Sequence, residues 1–121
     1  MARKPQRITF HRVKGFDLQG TSRALNGLLA KMVTRPGKWG NPFVIKDIAR
    51  RFELNADAAQ DKAVALCVEW LDARLDPALD PGRKPPTRGE IIAELGGHNL
   101  ACWCKPGQAC HADHLIELAN P

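Results

Sequence analysis

The stretch that decides the fold is Asn99-Leu100-Ala101-Cys102-Trp103-Cys104-Lys105-Pro106-Gly107-Gln108-Ala109-Cys110-His111. Its first six residues are uncharged and largely apolar, the pattern of a compact buried strand. Lys105-Pro106-Gly107 carries turn chemistry, and Cys110 to Ala119 reads as a closing helix with Asp113 in its first turn. The unit is strand–loop–helix, and in open α/β sheets ligands sit outside the carboxyl ends of strands. A helix N-terminus there offers N–H groups to an anion and lowers the pKa of a cysteine placed on it, here Cys110. Side chains alternate along a strand, so Cys102 and Cys104 are expected on the face of Leu100, with Trp103 on the other.

Working back from that unit, Thr87 caps a short helix through Leu95, Glu90 completes a capping box, and Gly96-Gly97 ends it. Asp76 to Pro86 holds four prolines and a glycine, so it is a loop. The longest helix is expected from Asp57 to Leu75, with Ala59, Ala63, Leu66, Cys67, Trp70 and Leu71 recurring at spacings of three and four. A shorter helical stretch lies near Asp47 to Phe52. In the N-terminal part, Arg7–Val13 and Lys31–Arg35 read as strands on either side of a helix from Thr21 to Ala30, and Pro36-Gly37 turns the chain. Strands separated by helices define the fold class: α/β, a small open sheet of three to four mostly parallel strands with flanking helices, Rossmann-like or a reduced three-layer form. At 121 residues the chain makes one domain, with residues 1–6 a candidate disordered tail.

The composition, 44% hydrophobic and 26% charged, is that of a globular chain. No apolar run reaches the ~18 residues that span a bilayer. The basic start Met1 to Arg7 has no apolar stretch behind it, so no secretory signal is expected. Three of the four cysteines crowd into nine positions, and without export they are expected reduced, in a cytoplasmic protein. The net charge of +5 is unevenly spread. Residues 1–51 hold 12 Lys or Arg against Asp17 and Asp47, a balance of +10, whereas residues 52–121 hold 6 against 11 Asp or Glu, a balance of −5. Such polarity suits an anionic partner for the N-terminal half (phosphate, nucleotide or nucleic acid) or a merely solvated basic surface.

Three readings compete for Cys102, Cys104, Cys110 and His111. Two thiolates on one zinc lie within roughly 4 Å of each other, whereas residues two apart on a regular strand are about 6.6 Å apart. A Cys-x-Cys pair reaches one metal only if the strand breaks there, so spacing weighs against a metal site and no cofactor is assigned. In the second reading Cys110 or Cys104 is an activated nucleophile with His111 or His114 as base; Cys110 and His114, four apart, would share a helix face. In the third the cysteines are small buried hydrophobes, the preferred reading for Cys102 and Cys67.

A second segment, Arg35-Pro36-Gly37-Lys38-Trp39-Gly40-Asn41-Pro42-Phe43, is basic and rigid. Arg35 and Lys38 suit phosphate, Trp39 either stacks on a base or packs, Asn41 bonds a ligand's polar edge or its own turn, and Phe43 is core. The candidate pocket joins Arg35, Lys38, Trp39, Gly40 and Asn41 to Cys104, Lys105, Cys110, His111 and Asp113. Were it catalytic, Cys110, His111 and Asp113 would carry the chemistry on a nucleotide or nucleic-acid-derived phosphate ligand. The alternatives are a zinc-stabilised structural or adaptor module and a non-enzymatic DNA- or RNA-binding accessory protein.

Together the two segments resemble the domain of unknown function 4326 family of bacteria, archaea and phages. The resemblance rests on Arg35, Trp39 to Phe43, Cys102 to Pro106, Cys110, His111, Asp113 and Leu115. It implies a setting of phages and mobile elements, where small nucleotide- or DNA-related proteins are common, and names no activity. The ending is also similar to a second uncharacterised family with Cys-His-Arg, where this chain has Ala112 in place of the arginine.

Overall fold

The computed structural model describes residues 4–121 apart from Arg12, Pro36 and Pro106. The turn prolines Pro36 and Pro106, Arg12 of the first expected strand, and the first three residues of the expected tail therefore lie outside the described residues. Three parallel strands, β1 (Arg7–Thr9), β2 (Ala30–Met32) and β3 (Asn99–Cys102), form one sheet in the order β1-β3-β2. The last strand in sequence is thus the central one, buried at every position. Among the described residues five α-helices accompany the sheet: α1 (Leu18–Asn26), α2 (Ile45–Phe52), α3 (Ala56–Leu71), α4 (Arg88–Leu95) and α5 (His111–Ala119). This is the small, open, parallel α/β sheet expected. Among the described residues no helix is long and apolar enough to cross a membrane.

Boundaries moved where a stronger local interaction took over. Asp17, not Thr21, caps α1, its carboxylate accepting the Gly20 N–H at 3.0 Å. Gly27, at φ 79°, ends that helix instead of weakening its interior. Thr87 and Glu90 form the expected reciprocal box at the start of α4. The chain leaves α3 at Leu71, short of Leu75, where Ala73 takes φ 59°. A single 3₁₀ turn, Pro77–Leu79, interrupts the proline-rich loop. The expected terminal strand through Cys104 stops at Cys102, a difference that decides the site.

One polar knot registers the sheet. Asn99, fully buried at the start of β3, exchanges amide hydrogen bonds with Asn26 of α1 at 2.8 Å and donates to Ser22 Oγ at 2.8 Å. Its Oδ1 also accepts the backbone N–H of Gln6 at 2.9 Å. Every polar atom that this amide buries is thereby paired. On the outer edge, Gln19 mimics a further strand, bonding both the N–H and the carbonyl of Ala30.

The core is in two parts. One joins β3 to α4 and α5 through Leu100, Cys102, Ile91, Leu95, Leu115 and Leu118. The other joins α2 to α3 through Phe43, Ile48, Ala63, Leu66, Cys67 and Trp70. Cys102 and Cys67 are core residues, as the sequence suggested, and burial pushes the Cys67 thiol up to about 12.

Candidate metal centre and ligand cleft

Beyond Cys102 the chain bends at Trp103. The bend is fixed from β1: Phe10 N–H donates to Cys102 O at 2.7 Å, and Thr9 Oγ1 donates to Cys104 O at 2.8 Å. A tight turn follows, in which Gln108 N–H donates to Lys105 O. The Arg7 guanidinium then bonds Gln108 O (2.8 Å), Lys105 O (3.3 Å) and the Asp113 carboxylate (3.0 Å), clamping this loop to the first turn of α5. Cys110 becomes the N-cap of α5, its sulfur accepting the Ala112 N–H at 3.5 Å.

The result is that the sulfurs of Cys102, Cys104 and Cys110 all lie within 4.8 Å of one another. The expectation that Cys-x-Cys spacing holds the first two apart is corrected. It assumed a strand running through Cys104, and the break at Trp103 removes that premise. Trp103, at the bend, borders the same lining as Cys102 and Cys104, with its ring edge-on to Phe10 at 4.7 Å.

Three thiols this close in a partly buried site do not all ionise, because like charges oppose one another there. Cys104 is the thiol whose pKa is lowered. Hydrogen bonds from the thiols of Cys102 and Cys110, with the Gln60 amide at 3.6 Å, hold its pKa down to about 2. Donating to Cys104 raises Cys102, and bonds to both neighbouring thiols, with burial, push Cys110 up.

His111 has a different job. Its Nε2 meets two carbonyl oxygens, Val33 O at 3.0 Å and Trp39 O at 2.9 Å. Both are acceptors, which assigns the ring hydrogen to Nε2. Nδ1 faces Cys110 Sγ at 3.9 Å. Burial lowers the imidazole pKa, against the opposing pull of the Trp39 and Val33 carbonyls. The side chain thus ties the start of α5 to the chain just after β2 and to the Trp-Gly-Asn-Pro-Phe loop. Among the described residues no imidazole or carboxylate joins the three sulfurs within 4.8 Å.

The sulfurs open onto a cleft of about 430 Å³ between the two halves of the core. Arg35, Gly40, Asn41 and Phe43 belong to the loop that borders it, and all but Gly40 line it. Asn41 holds the loop, with Oδ1 accepting Phe43 N–H at 2.8 Å and Nδ2 donating to Ala63 O of α3 at 3.1 Å. At Gly40 a Cβ would stand 2.8 Å from Arg35 N and 2.9 Å from Arg35 Cα, so the glycine lets the loop close on itself.

Of the residues singled out from sequence, Arg35, Asn41, Cys104, Cys110 and His111 meet in this cleft. Lys38, Trp39, Lys105 and Asp113 do not line it. Lys38 pairs with Glu90 and Glu94 of α4 at 2.8 and 3.2 Å. Trp39 packs on the sheet-side core, with the Lys38 ammonium 4.9 Å from its ring. Asp113 is spent on Arg7, and His114 bonds Asp72 at 2.8 Å at the end of α3. Sequence reasoning missed Gln60, Thr9 and Arg7. Gln60 carried a signal: it is a buried polar residue at an inward position between Ala59 and Ala63.

Fold and site together define a small parallel α/β protein with a three-thiol cluster in a ligand-sized cleft. The chain belongs to the family described as Domain of unknown function (DUF4326), whose sequence model matches residues 21–121. No curated protein and no solved structure shows significant similarity to it.

Proposed function

We propose that this protein binds a thiophilic divalent metal, zinc, through Cys102, Cys104 and Cys110, and that the cleft beside the metal takes a phosphate-bearing ligand at Arg35. The observation that carries this reading is the gathering of three sulfurs within 4.8 Å. Zinc–thiolate bonds near 2.3 Å require sulfurs about 4 Å apart, so a small contraction suffices. Thiolates select soft ions, zinc foremost among redox-inert ones. A cation also removes the repulsion that otherwise confines the charge to Cys104. Two N–H groups already aim at the ligand sulfurs, Gln60 at Cys104 and Ala112 at Cys110, the kind of support that orients metal ligands. Three protein ligands with a fourth position left to solvent or ligand is the pattern of reactive rather than purely structural zinc. Bound there, zinc would polarise a ligand oxygen or a water.

A second reading is favoured by the half-buried, ionised Cys104 alone: a metal-free nucleophilic thiol in the same cleft. Elemental analysis separates the two. Protein purified without chelators is expected to carry about one zinc per chain, lost in Cys104→Ala. Metal-free protein that takes up no added zinc would overturn the metal reading.

A further inference from the structure

We propose that the ligand of the cleft is a nucleoside monophosphate, its heteroaromatic ring against Trp103 and its phosphate on Arg35; this deepens, and rests on, the phosphate-ligand half of the reading above. Four features of the lining lead there. A volume of about 430 Å³ is that of a small-molecule site rather than a groove for a polymer.

The lining is aromatic and aliphatic over much of its extent: Trp103, Phe43, Ile45 and Val64. Trp103 remains 39% exposed, and Phe10 meets its ring edge-on at 4.7 Å and 85°, which fixes the plane of the indole. A flat ring suits such a surface.

Among the described residues Arg35 is the cationic side chain of the lining, and no carboxylate lines the cleft. Its guanidinium makes one hydrogen bond among the described residues, to Phe43 O at 3.2 Å. The remaining N–H donors have the fork geometry that takes a phosphate.

Arg35 sets the ligand's direction: the anionic group belongs at its guanidinium, and the uncharged part of the ligand belongs along the apolar lining. A nucleotide divides its chemistry in this way, with ring nitrogens and exocyclic groups at one end and phosphate at the other. A bare oxyanion satisfies Arg35 alone.

The test uses the zinc-loaded full chain and tryptophan fluorescence. Adenosine, guanosine, cytidine and uridine monophosphates are titrated beside their nucleosides, orthophosphate and a short single-stranded oligonucleotide. At least one monophosphate is expected to change the emission saturably, with the response reduced in Trp103→Phe. Loss of a charge-assisted phosphate contact weakens binding about tenfold or more, so Arg35→Met is expected to bind at least that much more weakly and Arg35→Lys in between. Unchanged zinc content in each variant certifies an intact fold. The nucleoside and orthophosphate are each expected to bind more weakly than the nucleotide. The proposal is overturned if no monophosphate binds zinc-loaded protein, if Arg35→Met leaves affinity unchanged, if orthophosphate binds as tightly, or if the oligonucleotide binds more tightly than every mononucleotide. A preparation that binds nucleotide but never zinc overturns the metal reading and leaves this one standing.

Discussion

Gly40→Ala tests whether the Trp-Gly-Asn-Pro-Phe loop is built as described. The added methyl would sit 2.8 Å from Arg35 N, 2.9 Å from Arg35 Cα and 3.0 Å from Arg35 Cγ. Two of those atoms are backbone, so no side-chain rotation relieves the contact. The loop also cannot drift freely, because Gly40 O accepts the Arg83 guanidinium at 2.7 Å and Trp39 O accepts His111 at 2.9 Å. Overpacking of this kind costs about 1–3 kcal/mol, which for a chain of this length is roughly 4–12 °C in Tm. Gly89→Ala is the control. Its nearest neighbour, Thr87 Oγ1, is 4.0 Å from the new Cβ, and the site lies in the first turn of α4. That substitution should be neutral or raise stability by about 0.5 kcal/mol. Calorimetry on both variants gives the comparison, with zinc content expected unchanged in each because no cysteine lies in the loop. Equal melting temperatures for Gly40→Ala and wild type would refute the close approach and the seating of Arg35 that depends on it.

Three further outcomes follow from the site. In metal-stripped protein, iodoacetamide should modify Cys104 first, since it is half-buried and ionised, and Cys67 only on unfolding; peptide mapping that finds Cys67 or Cys102 labelled earlier contradicts the charge assignment. Gln60→Leu removes the N–H donor to Cys104 and leaves Ala109 O without its 2.8 Å partner. Chelator competition should show zinc affinity lower by about ten- to a hundredfold at unchanged stoichiometry, and an unaltered affinity would remove Gln60 from the site. Asp72 is raised by burial, but the opposing hydrogen bonds of His114 and Arg74 win and hold its pKa below the usual carboxylate value. Its contribution is therefore complete above about pH 4 and lost as pH falls below that, so Asp72→Asn should flatten the acid side of a urea-midpoint profile, and an identical slope would exclude the group.

Much of the fold was legible because its signals are local. The capping box at Thr87 and Glu90, the apolar repeat of α3 and the strand-like run at Asn99 each depend on residues close in sequence. What was not legible depends on residues far apart. Arg7 and Asp113 stand 106 positions from each other, and Thr9 and Cys104 stand 95, yet these contacts end the strand early and fold the terminal loop. The metal reading turned on that point. The rise of an ideal strand separates Cys102 from Cys104, and only the bend at Trp103, fixed from β1, brings their sulfurs together. Trp39 likewise depends on distant residues, since it packs against the core built by β3, α4 and α5.

X-ray absorption at the zinc edge of protein purified without chelators tests the central claim most directly. The expected result is a shell of three sulfurs at about 2.3 Å with one lighter oxygen or nitrogen scatterer at about 2.0 Å, and loss of the sulfur shell in Cys104→Ala. A shell of oxygen and nitrogen alone, or four sulfurs drawn from two chains, would contradict it.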